Sequence, residues 1–186
     1  MRPLAIGLVH HPVLDAAGAI VTTAITNLDV HDLARSARTY GVSRYFLIHP
    51  IQAQRDLVAR IREHWLEGSS GKRIPSRKAA LALVEVTPSL DAAYEAMGGR
   101  AEVEVWITAA RDVRPPIDFA RARATLREEG KSVLLLFGTG WGLAPSVVDA
   151  ADAVLPPIRA EGDTGYNHLS VRAACAITLD RLLGPA

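Results

Sequence analysis

Cysteine is nearly absent from this chain: Cys175 is the only one among 186 residues. No disulfide framework can therefore form, and Cys175, set in the apolar run Val171-Arg172-Ala173-Ala174-Cys175-Ala176-Ile177, reads as a small core residue. No apolar run approaches the ~20 residues that a membrane span needs, and the first ten residues lack a signal-peptide apolar stretch, so the chain is expected to be cytoplasmic. An excess of either charge is also missing, with 21 lysines and arginines against 20 acidic residues. Bulk attraction to nucleic acid is thereby excluded, and any basic binding surface must come from local clustering. Repeats, low-complexity stretches and Pro/Ser-rich linkers do not occur. His10, His11, His31 and His49 lack a metal-site spacing, and no metal is expected.

What is present is an alternation of strand and helix patterns in one 1–186 domain. Leu4 to Val9, Tyr45 to Pro50, Val84 to Val86, Val103 to Ile107, Ser132 to Phe137 and Val154-Leu155 read as strands. Helices are expected over Asp29 to Tyr40, from Ile51 through Trp65, from Ser89, over Phe119 to Glu129, over Val147 to Ala150, and over His168 to Leu183. Gly68 to Ser76 reads as a mobile Gly/Ser loop. Strand 132–137 is apolar on both faces, as a central parallel strand covered by helices on both sides should be. The expected fold is a three-layer α/β domain with a mostly parallel sheet.

The richest stretch lies in the last third. Strand 132–137 runs into Gly138-Thr139-Gly140-Trp141-Gly142-Leu143, and three alternating glycines leave peptide groups open to a flat ligand and permit positive φ. The spacing is Gly-x-Gly-x-Gly, not the dinucleotide Gly-x-Gly-x-x-Gly, and the 44 residues after Gly142 are too few for the rest of a Rossmann sheet. A Walker A loop is excluded because Leu143, not Lys, follows the last glycine.

Three segments in order, 137–143, Leu155-Pro156-Pro157-Ile158, and Asn167-His168-Leu169-Ser170-Val171-Arg172-Ala173-Ala174, resemble the successive C-terminal motifs of the SPOUT superfamily of trefoil-knotted RNA methyltransferases. Within it the chain is similar, nearly end to end, to a bacterial group of RNA methyltransferases sometimes fused to a tRNA (guanine-N1)-methyltransferase. His64-Trp65, Arg77-Lys78-Ala79-Ala80 and Leu179-Asp180-Arg181-Leu182 share in that likeness. The resemblance implies a C-terminal deep trefoil knot holding S-adenosylmethionine (SAM) in a bent form, and an acceptor site assembled in a homodimer. It also implies that Phe137, Gly138, Thr139, Gly140, Gly142, Leu155, Pro156, Ile158, Asn167, His168, Leu169 and Ser170 surround the cofactor. Leu155 and Ile158 read equally as core.

The same likeness supplies two expectations for catalysis on tRNA or rRNA. Ribose 2′-O enzymes of the superfamily carry Asn-x-x-x-x-x-Arg-Thr-Ala on an N-terminal helix, with the arginine at the reacting ribose or phosphate. Here Asp29 to Ala37 retains Arg35 but has Asp29 at the asparagine position, where a carboxylate beside RNA phosphates requires a neutralising cation. The guanine-N1 enzymes use a loop aspartate, and Asp163, between Gly162 and Thr164, is the counterpart; its alternative reading is a turn residue. The acceptor is thus a ribose oxygen or a base nitrogen. Lys72, Arg73, Arg77 and Lys78 form a candidate RNA-phosphate patch, or a merely solvated charge run. The rival to an enzyme is a non-catalytic SAM- or RNA-binding module serving a partner methyltransferase.

Overall fold

The computed structural model describes residues 1–162 and 164–185. Six strands, β1 (Leu4–Val9), β4 (Arg44–Ile48), β5 (Val84–Thr87), β6 (Val103–Ile107), β7 (Ser132–Gly138) and β8 (Ala153–Val154), form a parallel sheet in the order β5-β4-β1-β7-β6-β8. A small antiparallel pair, β2 (Val13–Leu14) and β3 (Ile20–Val21), follows β1.

Side-chain alternation divides the core in two. Leu4, Ile6, Leu8, Tyr45, Leu47, Val133, Leu135 and Phe137 face one way; Ala5, Val9, Phe46, Ile48, Leu134 and Leu136 face the other. The first face is covered by residues of α1 (Asn27–Thr39), α2 (Gln52–Leu66), α4 (Pro75–Leu81), α6 (Phe119–Arg127) and α8 (Val171–Leu183). The second is covered more thinly by α5 (Leu90–Glu95) and α7 (Pro145–Ala150). Every residue of β1 is buried, as a strand roofed on both sides requires. The three-layer α/β expectation holds.

Three differences bear on the sequence reading. Segment 68–76 is not a loop: Ser69–Arg73 forms α3, α4 follows directly, and Ser70 and Gly71 are buried. A Cβ at Gly68 would stand 2.3 Å from the His64 carbonyl oxygen and one at Gly71 2.0 Å from that of Trp65, so these glycines serve close packing against α2. The last helix begins at Val171, not His168, because Ser170 caps it by accepting a hydrogen bond from the Ala173 amide. Finally, the β2–β3 hairpin lies where no strand was expected, since two-residue strands carry no readable alternation.

Cys175 is fully buried on α8, and burial pushes its thiol up to about 12 from an ordinary 9.0. That shift leaves roughly a thousandfold less thiolate at neutral pH, so alkylation should wait for unfolding. Mass spectrometry should find Cys175 unmodified by iodoacetamide in buffer and labelled in denaturant; rapid labelling of the native chain would contradict the packing.

Candidate active site

The glycine loop leaves β7 at the carboxyl ends of the central strands, the usual ligand side of an open α/β sheet. The β2–β3 hairpin pins it. The Trp141 amide donates to the Leu14 carbonyl (2.9 Å), the Leu14 amide to Gly142 (2.9 Å), and the Thr139 amide to Val9 (3.2 Å). The three glycines answer different demands. An added Cβ at Gly138 would meet the Leu143 amide nitrogen at 2.7 Å, and one at Gly140, where φ is +59°, would meet the Leu14 oxygen at 2.7 Å. Gly142 has φ +109° and nothing within 4 Å, so its missing side chain leaves open space beside the loop.

This loop forms one wall of a cavity of about 790 Å³, within the range that encloses a nucleoside-sized ligand. Phe137, Gly138, Thr139, Gly140, Gly142, Pro156, Ile158, Asn167, His168, Leu169 and Ser170 all line it. Leu155 does not; it is completely buried, with its amide bonded to Ile107 in the sheet (2.9 Å). The opposite walls come from Thr23, Ala24, Thr26 and Asp29, from Thr108 to Arg111 with Val113, and from Arg172. Two ties hold segments 108–113 and 156–170 together: Asn167 Nδ2 donates to the Ala110 carbonyl (3.0 Å), and Arg159 pairs with Asp112 (2.7 Å). Residues 156–160 and 166–170 lie outside every helix and strand, and Pro156, Ile158 and residues 167–170 of these stretches face the cavity. Trp141 and Tyr166 are exposed, and both rings meet His168 edge-on at the mouth, with centroids at 6.4 and 5.2 Å.

Behind the glycine loop lies a half-buried polar chain, ending on the fully buried His10, that sequence reasoning missed. The Thr139 hydroxyl donates to the Val9 carbonyl (3.0 Å) and lies 2.5 Å from the Thr23 hydroxyl, which contacts His10 Nδ1 at 3.0 Å. With Thr139 donating to Val9, Thr23 must donate to Thr139, and His10 must donate from Nδ1. His10 Nε2 is then a bare lone pair, and among the described residues it has no partner. Burial, then the neighbouring His49, lowers the His10 pKa to about 4. Protonation would add a charged N–H with nothing to accept it.

On the far wall Asp29 is buried, with its Oδ1 held by Arg172 (2.8 Å) and its Oδ2 by the Thr26 hydroxyl (2.6 Å). Asp32 stands 3.7 Å from Arg172 Nε and, by its other oxygen, 3.7 Å from Arg35. The four groups make an alternating ladder from solvent to cavity. Arg35, expected at the reacting centre, forms the outer end with its side chain 60% exposed and does not line the cavity. The cation required beside Asp29 is Arg172, brought from 143 residues away. Asp163 lies outside the described residues.

The expected RNA patch sits apart from the cavity wall. Lys72, Arg73 and Lys78 are exposed on α3 and α4, whereas Arg77 is folded over the Trp65 ring at 5.3 Å and donates to His31 Nδ1 at 3.3 Å. Burial, then Arg77, lowers the His31 pKa. Among the described residues no group of three or more potential metal ligands occurs, and no helix is long and apolar enough to cross a membrane.

Comparison with known proteins agrees with this geometry. Residues 3–184 match a family model described as SAM-dependent RNA methyltransferase. A tRNA (guanine-N(1)-)-methyltransferase of Oleidesulfovibrio alaskensis is 41% identical over all of this chain but only 43% of its own length, so the chain spans less than half of that relative. An uncharacterized protein of Aquifex aeolicus is 37% identical, covering 95% of this chain and 86% of its own. Among solved structures, a probable methyltransferase from Bordetella pertussis aligns with TM-score 0.63 at 19% identity, covering 97% of this chain and 94% of its own. TrmJ from Z. mobilis aligns over all of this chain and 70% of its own with TM-score 0.63 at 18% identity, a likeness of fold. With its glycine loop, its cavity at the strand ends and a family match over residues 3–184, the chain belongs to the SAM-dependent RNA methyltransferases.

Proposed function

We propose that this chain transfers a methyl group from SAM to a nucleotide of tRNA or rRNA, with the cofactor in the 790 Å³ cavity. One observation carries the reading: all three separate motif segments converge on a single cavity. The chain's residues fit SAM. Glycines 138, 140 and 142 give a nucleoside access to backbone, Pro156 and Ile158 supply an apolar wall, and residues 167–170 close the opposite side. The bound cofactor supplies an electrophilic methyl group, so the protein's task is to orient the acceptor and manage one proton. Both Asp29 oxygens are engaged, which makes Asp29 an orienting group and not a free base. Asp163 is proposed as the proton acceptor on its sequence position alone, and Arg35 as the group that first meets the docking RNA.

We also propose that the C-terminal segment forms a deep trefoil knot and that the chain acts in the cytoplasm as a homodimer. Partly exposed apolar residues of α8, Val171, Ala174 and Ile177, support an isologous pairing there. A partner tRNA methyltransferase, and RNA contact by Lys72, Arg73, Arg77 and Lys78, belong to the same proposal.

Calorimetry with SAM tests the reading. Several neutral hydrogen bonds of about 0.5–1.5 kcal/mol each, with apolar contact, predict a Kd near ~1–10 μM at one site per chain. No detectable heat or competition at millimolar SAM would overturn it. Light scattering on the same sample should return twice the chain mass.

A further inference from the structure

We propose that Arg172 is the cation that grips the phosphate of the acceptor nucleotide, and that Asp29 is the residue that positions it. This rests on the RNA methyltransferase reading of the same cavity. Arg172 is the second residue of α8, at the positive end of the helix dipole, where a cation is disfavoured unless something requires it. What holds it is a prepared anchor. Asp29 lies in the first turn of α1, its side chain only 8% exposed, and the cap residue Thr26 fixes it twice, by hydroxyl donation to Oδ2 and by acceptance from the Asp29 amide.

A guanidinium has five N–H donors. One bond, to Asp29, is short; the Asp32 contact at 3.7 Å is beyond hydrogen-bond reach. The side chain is about one-third exposed (32%) and lines the cavity, so it keeps donors for an oxyanion. Asp32, equally loose at 3.7 Å from Arg35, sits where a phosphate oxygen would replace it as partner of both arginines. Arg111 also lines the cavity but is exposed, and among the described residues no carboxylate anchors it. A pre-oriented planar fork is the group suited to phosphate.

Three proteins decide the matter: wild type, Arg172→Lys, and the double variant Asp29→Asn with Arg172→Gln, which removes cation and buried counter-ion together. Calorimetry uses SAM and 5′-methylthioadenosine, which lacks the donor's carboxylate. RNA binding is followed against salt with bulk tRNA from a strain lacking this chain, and methyl transfer is measured on the same tRNA. In the double variant both nucleosides should bind as in wild type, while the salt slope becomes shallower by about 0.7–0.9. Transfer should fall about 100-fold. Arg172→Lys should restore the slope but not the rate, because an ammonium cannot form the fork. Loss of SAM affinity with methylthioadenosine affinity kept would assign Arg172 to the donor's carboxylate and overturn the proposal, as would unchanged slope and rate. If the double variant fails to fold, full activity of Arg172→Lys refutes the proposal and a lowered kcat with SAM affinity unchanged supports it. Absence of SAM binding by the wild type would instead strike the reading of the cavity itself.

Discussion

Gly140→Ala lowers SAM affinity by about 10- to 100-fold, the equivalent of two lost hydrogen bonds at roughly 0.5–1.5 kcal/mol each. The cause is steric and conformational together. Gly140 has φ +59°, which costs an L-residue ~1–2 kcal/mol, and its new Cβ would stand 2.7 Å from the Leu14 carbonyl oxygen. That oxygen accepts the Trp141 amide, so the contact cannot relax without breaking the bond that ties the loop to the hairpin. Overpacking of this kind adds ~1–3 kcal/mol. The variant should melt roughly 4–20 °C lower, at about 2–4 °C per kcal/mol for a chain of this size. Gly142→Ala is the control: nothing lies within 4 Å of its Cβ, so only the penalty of φ +109° remains. Calorimetry and thermal melts should rank the two in that order; equal effects would remove the hairpin from the explanation.

Acidification from pH 6.5 to 4 removes about 3 kcal/mol of stability through His10 alone, at 1.36 kcal/mol per pKa unit. The native chain keeps His10 neutral down to a pKa of about 4, whereas the unfolded chain protonates it near 6.5. The unfolded state therefore binds more protons in this window. The stabilisation is complete above pH 6.5 and is lost as pH falls through 4. His49, whose ring lies 5.4 Å from that of His10 and whose pKa is also lowered, chiefly by burial, adds in the same direction. His10→Gln keeps a polar contact to Thr23 without a titrating ring, and its melting temperature should fall less between pH 7 and 4.5 than that of wild type. The hydroxyl chain ends on Thr139, so SAM affinity in the wild type should hold down to about pH 5 and weaken only near pH 4, where the native ring takes up its proton. Parallel pH profiles for wild type and variant would show that His10 does not titrate with folding.

Which parts of this structure were legible in the sequence follows from the range of the forces involved. Strands β1, β4 and β7 are continuous apolar runs roofed on both sides, and the run itself is the signal. The glycine loop was legible because backbone geometry is a local demand. Gly68 and Gly71 misled by the same logic: they look like loop residues, yet they allow helices to touch, and only the position of α2 reveals that. Residues 168–170 look like the first turn of a helix, but the cap at Ser170 leaves them outside it, on the cavity wall. Long-range pairing was the blind spot. Asp29 called for a cation that no neighbour in sequence identified, and the fold supplies Arg172 from the other end of the chain. An arginine at the unfavourable end of a helix was the one clue.

Transfer of tritiated methyl from SAM to RNA of a strain lacking this chain tests the central claim most directly. RNase-sensitive label should accumulate with wild-type protein and, at SAM near the wild-type Kd, fall by about 10- to 100-fold at most with Gly140→Ala. SAM bound at micromolar affinity without label in any RNA would contradict catalysis and leave a non-catalytic binding module, while label undiminished by Gly140→Ala would put the chemistry somewhere other than this cavity.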